Sequence, residues 1–175
     1  MMKRITKTQA KALIKEHQWH AADVACGHHA GWPEAAVLSD WGPYGGNYPG
    51  RKFIKSDIRK LPFKTKEFDF VIASHVVEHI PEVDQVLEQL MRVANAGYIE
   101  VPSPLFDNLT QGNDGKHKWW ITFDDWEEKL IFRPREKVIT SLLKVAGWDK
   151  HKKIFPESCF TAVYWAGQIK YEVQK

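Results

Sequence analysis

The stretch His75-Val76-Val77-Glu78-His79 sets two imidazoles and a carboxylate at the spacing H-x-x-E-H. In that pattern two histidines hold zinc and the glutamate acts as base. A second set of chemistry-bearing residues is acidic. Asp23 lies in one apolar run, and Asp40 and Asp57 end the next two. In open α/β sheets ligands bind beyond the carboxyl ends of the strands. A carboxylate after a second strand is placed to accept both hydroxyls of a ribose. An acid after a third can accept an adenine amino group, with Ile58 offering an apolar face to the ring. The first loop lacks G-x-G-x-x-G, which argues against a dinucleotide. The choice is between a zinc hydrolase and a nucleoside site, and the flanking elements decide it.

Five short apolar runs read as strands: His20–Ala25, Ala35–Asp40, Lys52–Asp57, Phe68–Ala73 and Gly97–Pro102. Between them lie a Gly/Pro/Tyr/Asn-rich loop from Gly42 to Gly50 and a helix from Pro81 to about Asn95, stopped by Asn95-Ala96-Gly97. Thr6–Gln18 reads as an amphipathic helix. Short strands alternating with helices or long crossovers predict a parallel sheet covered on both faces. The expected fold is therefore α/β, three-layer and doubly wound, with a mostly parallel sheet. After Pro104 the rhythm changes. Leu105–Lys116 reads as loop, Trp119–Phe123 and Lys129–Phe132 as a hairpin, Pro134–Val145 as a helix and Phe160–Val173 as closing strands. On this reading His75 and His79 sit at a strand–helix junction, not together on the helix that zinc hydrolases of this pattern need. The zinc reading is disfavoured, no metal is expected, and Glu78 and His79 are read as orienting or packing groups. His28-His29 adds imidazoles without ligand spacing.

Asp57-Ile58-Arg59-Lys60-Leu61-Pro62-Phe63, followed by Phe68-Asp69-Phe70-Val71-Ile72-Ala73-Ser74-His75-Val76-Val77-Glu78-His79, resembles the middle of a class I S-adenosylmethionine-dependent methyltransferase of the type-11 branch. Gly97-Tyr98-Ile99-Glu100-Val101-Pro102 continues the resemblance, and His117-Lys118-Trp119 matches a histidine–tryptophan element of one subgroup. The resemblance runs from about Ala21 to Phe132. It implies a single methyltransferase-like domain over 1–175, with an N-terminal helix (1–19), a cofactor-binding half (20–104) and an acceptor-side half (105–175). It also implies S-adenosylmethionine as cofactor. Asp40, with Trp41 beside it, would hold the ribose, and Asp57 and Ile58 the adenine. Asp23, Ala25, Cys26, Gly27 and His28 would meet the methionine end, and Ser74 and His75 would face the donor. His75 is the first candidate base and His117 the second. The loop Asp23-Val24-Ala25-Cys26-Gly27-His28-His29 departs from the family's D/E-x-G-x-G-x-G. Only the middle glycine survives, and the short, Pro33-containing segment to Asp40 implies a first crossover helix reduced to a turn.

The composition is that of an ordinary globular chain, 43% apolar and 27% charged over 175 residues. No apolar run approaches the ~20 residues of a membrane span, and the N-terminus does not read as a secretory signal. Two cysteines without patterned partners suit a reduced, cytoplasmic setting. Lysines and arginines crowd residues 3–15 and 144–153, read first as solvated helix faces. The expected acceptor is a small molecule or a glycan, the latter on resemblance alone. Nucleic acid is a second, less favoured partner. The alternative to an enzyme is a methyltransferase-like binding protein that has lost catalysis. Trp119, Trp120 and Trp126 are candidates to stack on a sugar or base, with core packing expected for at least two.

Overall fold

The structure, a computed structural model, describes residues 1–28, 32–109, 116–136 and 159–174. Its centre is a seven-stranded sheet built from β1 (Met2–Arg4), β2 (Ala21–Val24), β3 (Val37–Asp40), β4 (Lys52–Lys55), β5 (Phe68–Ser74), β6 (Ala94–Pro102) and β9 (Phe160–Ala166). The spatial order is β1-β9-β6-β5-β2-β3-β4. The run from β4 through β6 is parallel, β9 is antiparallel to β6, and β1 is antiparallel to β9. A second sheet, β10-β8-β7, is formed by β7 (Trp119–Asp124), β8 (Lys129–Pro134) and β10 (Tyr171–Val173).

Strand β5 shows why the sheet is covered twice. Phe70 and Ile72 enter one apolar cluster and Phe68, Val71 and Ala73 the other, all buried. A strand buried on both faces reads as a continuous apolar run, not an alternating one. On one face lie the helix α2 (Val83–Val93) and the second sheet. Val83, Val86, Leu87, Leu90 and Val93 fall at helical spacing and are buried there with Ile121, Phe123, Leu130 and Phe132. Arg92 of α2 donates to the carbonyls of Leu61 (2.8 Å) and Phe63 (2.6 Å), which fixes the Leu61-Pro62-Phe63 turn. On the other face α1 (Lys7–Glu16) buries Ala10 and Ile14 with Trp32 and Tyr48. Thr6 caps α1 through a reciprocal box with Gln9.

The expected α/β fold and its mostly parallel sheet hold, with several local differences. α2 runs directly into β6 at Ala94, so Asn95-Ala96-Gly97 lies in the strand rather than stopping a helix. The ladder to β5, already paired at Phe68↔Ala94, captures those residues. Pro104–Leu109 forms a short helix, α3, where a loop was expected; residues 110–115 lie outside the described residues. Pro134 ends β8 instead of opening a helix, and residues 137–145 are likewise outside them. β1 was not foreseen. The described residues of the crossover from β2 to β3, 25–28 and 32–36, form turns and no helix. The crossover is held by side chains: Glu34 pairs with Lys15 (3.4 Å) and Lys11 (3.8 Å), and Lys7 and Lys11 lie over the Trp32 ring. Those lysines are therefore partly structural; the later basic cluster, 144–153, lies outside the described residues.

Candidate active site

β2 and β5 are adjacent, yet the chain leaves β2 toward β3 on one side and β5 toward β6 on the other. That reversal opens a crevice at the carboxyl ends of the two strands. A cavity of about 290 Å³ occupies it, lined by Asp23, Ala25, Cys26, Gly27 and His28 after β2 and by Ser74 and His75 after β5, with Lys7 and Trp32. A larger cavity of about 660 Å³ adjoins it. Its walls include Arg4 through Gln9, Phe160 and Glu100, and it shares Lys7 and His75 with the smaller one.

The turn after β2 is tightly specified. Ala25 and Cys26 donate their backbone N–H groups to the Ser39 carbonyl at 2.7 and 3.1 Å, and Gly27 donates to Asp40 Oδ2 at 2.9 Å. Ala25 and Gly27 have φ of 66° and 62°. Only the second is a glycine, so the alanine sits in the left-handed region at a steric cost. Asp40 is 5% exposed and also accepts from Gly42 N–H at 2.9 Å. Each of its oxygens keeps a free lone pair. Burial raises the Asp23 carboxyl to about 7 against the opposing pull of Lys7 and Arg51. Cys26 is a free thiol that burial pushes up to about 11, so it is not a thiolate nucleophile.

Across the crevice His75 also has positive φ, 55°. Its N–H donates to the Glu100 carbonyl at 2.8 Å. Its Nε2 lies 3.5 Å from Glu100 Oε1 and its Nδ1 3.7 Å from Glu78 Oε1. Burial lowers the imidazole, but the two carboxylates outweigh it and raise it to about 9. Burial would raise Glu100, but His75, Tyr98 and Ser74 pull it down to about 2. A ring held as imidazolium at neutral pH is suited to donate a hydrogen bond rather than to accept a proton.

The expected site residues divide. Asp23, Ala25, Cys26, Gly27, His28, Ser74 and His75 line one cavity, with Asp40 behind Gly27. Trp41 is next to Asp40 and 77% exposed. Asp57 and Ile58 do not line that cavity. Asp57 is turned to Arg59 at 2.7 Å, and Ile58 is 7% exposed in the core beside Leu61 and Phe63. His117 is not at this crevice either; it is buried, with Nδ1 2.6 Å from Asp107 Oδ1. Trp119 and Trp120 are half-buried and donate to the Ile80 carbonyl and to Asp107, while Trp126 is 96% exposed at the hairpin tip. Sequence reasoning missed Lys7, Trp32 and Phe160 as wall residues. The Thr6-x-x-Gln9 capping box, which fixes where α1 begins, was the available signal for Lys7.

The residues fit S-adenosylmethionine. Among the described residues no hydrogen bond reaches the buried Asp23 carboxyl, which lines the cavity and would be free to answer an ammonium group there. Asp40 presents its free lone pairs at the end of β3.

This architecture is that of a class I methyltransferase. Residues 35–99 match the family described as "Methyltransferase domain", type 11. That match covers 65 of the 175 residues, and the fold around it is the class I methyltransferase-like α/β fold. Among solved structures it is similar to a Thermotoga maritima protein described as a SAM-dependent methyltransferase, possible histamine N-methyltransferase (11% identity, 91% of this chain and 88% of that one, TM-score 0.52). It is also similar to a Pyrococcus horikoshii protein (22% identity, 67% of this chain and 64% of that one, TM-score 0.47). A third likeness is to the YcgJ protein of Bacillus subtilis (15% identity, 63% and 61%, TM-score 0.48). The chain thus spans less than two thirds of the length of the Pyrococcus and Bacillus proteins. No curated protein matches it in sequence. Among the described residues no helix is long and apolar enough to cross a membrane.

Proposed function

We propose that this chain binds S-adenosylmethionine in the crevice between β2 and β5 and transfers its methyl group to a hydroxyl or amine of a small-molecule or glycan acceptor. The observation that carries this reading is the meeting of two cavities at one wall, with Lys7 and His75 belonging to both. The cofactor supplies a methyl group already activated on a sulfonium, so alignment is the main task left to the protein. Asp23 accepts the methionine ammonium, Asp40 the ribose hydroxyls, and exposed Trp41 offers a face to the base. The larger cavity holds the acceptor, with Phe160 and Ala162 as apolar floor and Arg4 and Lys7 as polar wall. His75 orients the acceptor by donating to it at the shared wall. The cavity's mixture of apolar and cationic walls favours a compact polar acceptor such as a glycan.

Calorimetry with S-adenosylmethionine and S-adenosylhomocysteine tests the cofactor, with micromolar binding at one site expected. No heat at millimolar ligand would overturn the reading and leave the binding-protein alternative. Methyl transfer is then assayed against sugar nucleotides, oligosaccharides, small amines and DNA. Turnover on DNA alone would overturn the acceptor assignment.

A further inference from the structure

Among the described residues Glu78 is the one carboxylate with both oxygens buried and without a hydrogen bond. It is 1% exposed, and neither carboxylate oxygen receives a hydrogen bond. The nearest donors are His75 Nδ1 at 3.7 Å and His79 Nε2 at 3.8 Å, both beyond hydrogen-bond length. The His75 imidazolium answers part of that charge from 3.7 Å, but two buried carboxylate oxygens without a hydrogen bond remain costly.

Two imidazoles converge on it. The ring nitrogen Nδ1 of His79 lies 3.3 Å from the Lys116 carbonyl, and Nδ1 of His117 lies 2.6 Å from Asp107 Oδ1. A carbonyl and a carboxylate only accept, so both Nδ1 atoms carry the proton and both Nε2 atoms keep a lone pair. The two rings are 4.5 Å apart, edge to face. One donor atom from each of Glu78, His79 and His117 lies within 4.8 Å of the others. Asp107 is itself anchored by Arg135 Nε (2.6 Å) and Trp120 Nε1 (3.2 Å). Two further bonds hold the strands of the cluster together, Lys118 N–H to the Glu78 carbonyl at 2.7 Å and Trp119 Nε1 to the Ile80 carbonyl at 2.9 Å.

We propose that Glu78, His79 and His117 bind one divalent transition-metal ion of the zinc type. Two imidazoles and a carboxylate are an established zinc donor set, with a fourth position left to solvent. Hard cations such as magnesium prefer oxygen donors throughout. Tetrahedral ligands at about 2.0–2.2 Å from an ion stand about 3.3–3.6 Å apart, so the three donor atoms would draw together by up to about 1.5 Å through side-chain rotation. The Nδ1 contacts to Lys116 and Asp107 are the outer-shell bonds that orient metal-bound histidines. The set is not the one that the H-x-x-E-H letters suggest. His75 turns toward Glu100 and Phe160, and the second imidazole comes from His117, 38 residues beyond Glu78–His79. The ion would bolt the start of β7 to the turn after β5, one residue group away from His75. This site stands whether or not the chain transfers methyl groups.

Tag-free protein stripped with chelator and dialysed is titrated with Zn²⁺ and, separately, Co²⁺. One equivalent of each should bind, with visible d–d absorption for Co²⁺ and a raised Tm. In the Co²⁺ form, proton NMR should show two paramagnetically shifted exchangeable imidazole N–H signals. Glu78→Gln and His117→Ala should each weaken binding at least about tenfold, and Asp107→Asn by roughly 10- to 100-fold, while His75→Ala should stay within about threefold of the parent. Near-UV circular dichroism checks that the variants fold, and the NMR count is read on the unsubstituted protein. Absence of a stoichiometric equivalent, a signal count other than two, parental affinity in Glu78→Gln or His117→Ala, or loss of binding in His75→Ala would each overturn the site.

Discussion

The backbone N–H of Gly27 donates to Oδ2 of Asp40 at 2.9 Å, so the turn after β2 is tethered to the end of β3 by a side chain rather than by a helix. The described residues of the intervening crossover form turns only. Asp40 therefore holds the turn, through Gly27 and through Gly42, and in the proposed function its remaining lone pairs also accept the ribose hydroxyls.

Asp40→Ala should weaken S-adenosylmethionine binding by about 1.5–3 kcal/mol, roughly 10- to 150-fold. Asp40→Asn should lose less, because one oxygen still accepts a turn N–H. Asp57→Ala should leave affinity nearly unchanged, since Asp57 faces Arg59 and not the cavity. Calorimetry on the three variants decides it, and a larger loss at Asp57 than at Asp40 would exchange their assignments.

Ala25 supplies a second expectation. Its φ of 66° is a conformation that glycine adopts freely and alanine does not. Ala25→Gly relieves about 1–2 kcal/mol of backbone strain, and the greater freedom of glycine in the unfolded chain returns about 0.5–1 kcal/mol. A net stabilisation of about 0.5–1 kcal/mol should appear as a higher urea midpoint. A lowered midpoint would mean that the alanine methyl contributes packing that outweighs the strain.

How much of this was legible in the sequence depends on the range of the interaction involved. β5 was readable because a strand buried on both faces is an unbroken apolar run, and its end placed Ser74 and His75 at the crevice. Asp23 and Asp40 were readable as strand-end acids because β2 and β3 are short buried runs that finish at or next to them. Asp57 stands apart from that cavity because Arg59, two residues on, captures it, a local competition that strand counting ignores. β1 was invisible because three residues, Met2–Arg4, carry no periodicity and are strand only through pairing with β9, some 160 positions away. His117 was noticed as a motif, but its partners Asp107 and His79 are brought to it by the short helix α3 and the turn after β5. Neither the helix nor that contact follows from local pattern.

Gly97 is a packing glycine, not a turn glycine. A Cβ there would meet the Val71 carbonyl at 2.5 Å and Trp165 Nε1 at 2.7 Å. Gly97→Ala should cost about 1–3 kcal/mol, since the centre of the sheet has no room to shift. Adding Trp165→Phe should not restore stability, because the backbone carbonyl of Val71 remains in the way. Urea unfolding of the single and double variants measures this, and recovery in the double variant would place the clash on the indole alone.

Asp23 couples stability to pH. Burial raises its carboxyl from 3.8 to about 7, so between those values the folded state holds a proton that the unfolded chain has released. Stability from this group is greatest below pH 4, declines as pH rises toward 7, and is level above that. At about 1.4 kcal/mol per pH unit of separation, the loss is on the order of 4 kcal/mol. Asp23→Asn removes the charge and keeps the shape. The variant should match the parent near pH 4 and exceed it in stability at pH 8, while binding S-adenosylmethionine more weakly because a neutral amide answers an ammonium poorly. In the parent, cofactor affinity should rise with pH through about 7 as the carboxylate forms. Paired urea titrations at pH 4, 6 and 8, with calorimetry at the two higher values, test both halves. An Asn variant that is no more stable at pH 8, or an affinity that falls with pH in the parent, would show that Asp23 is already ionised in the folded protein.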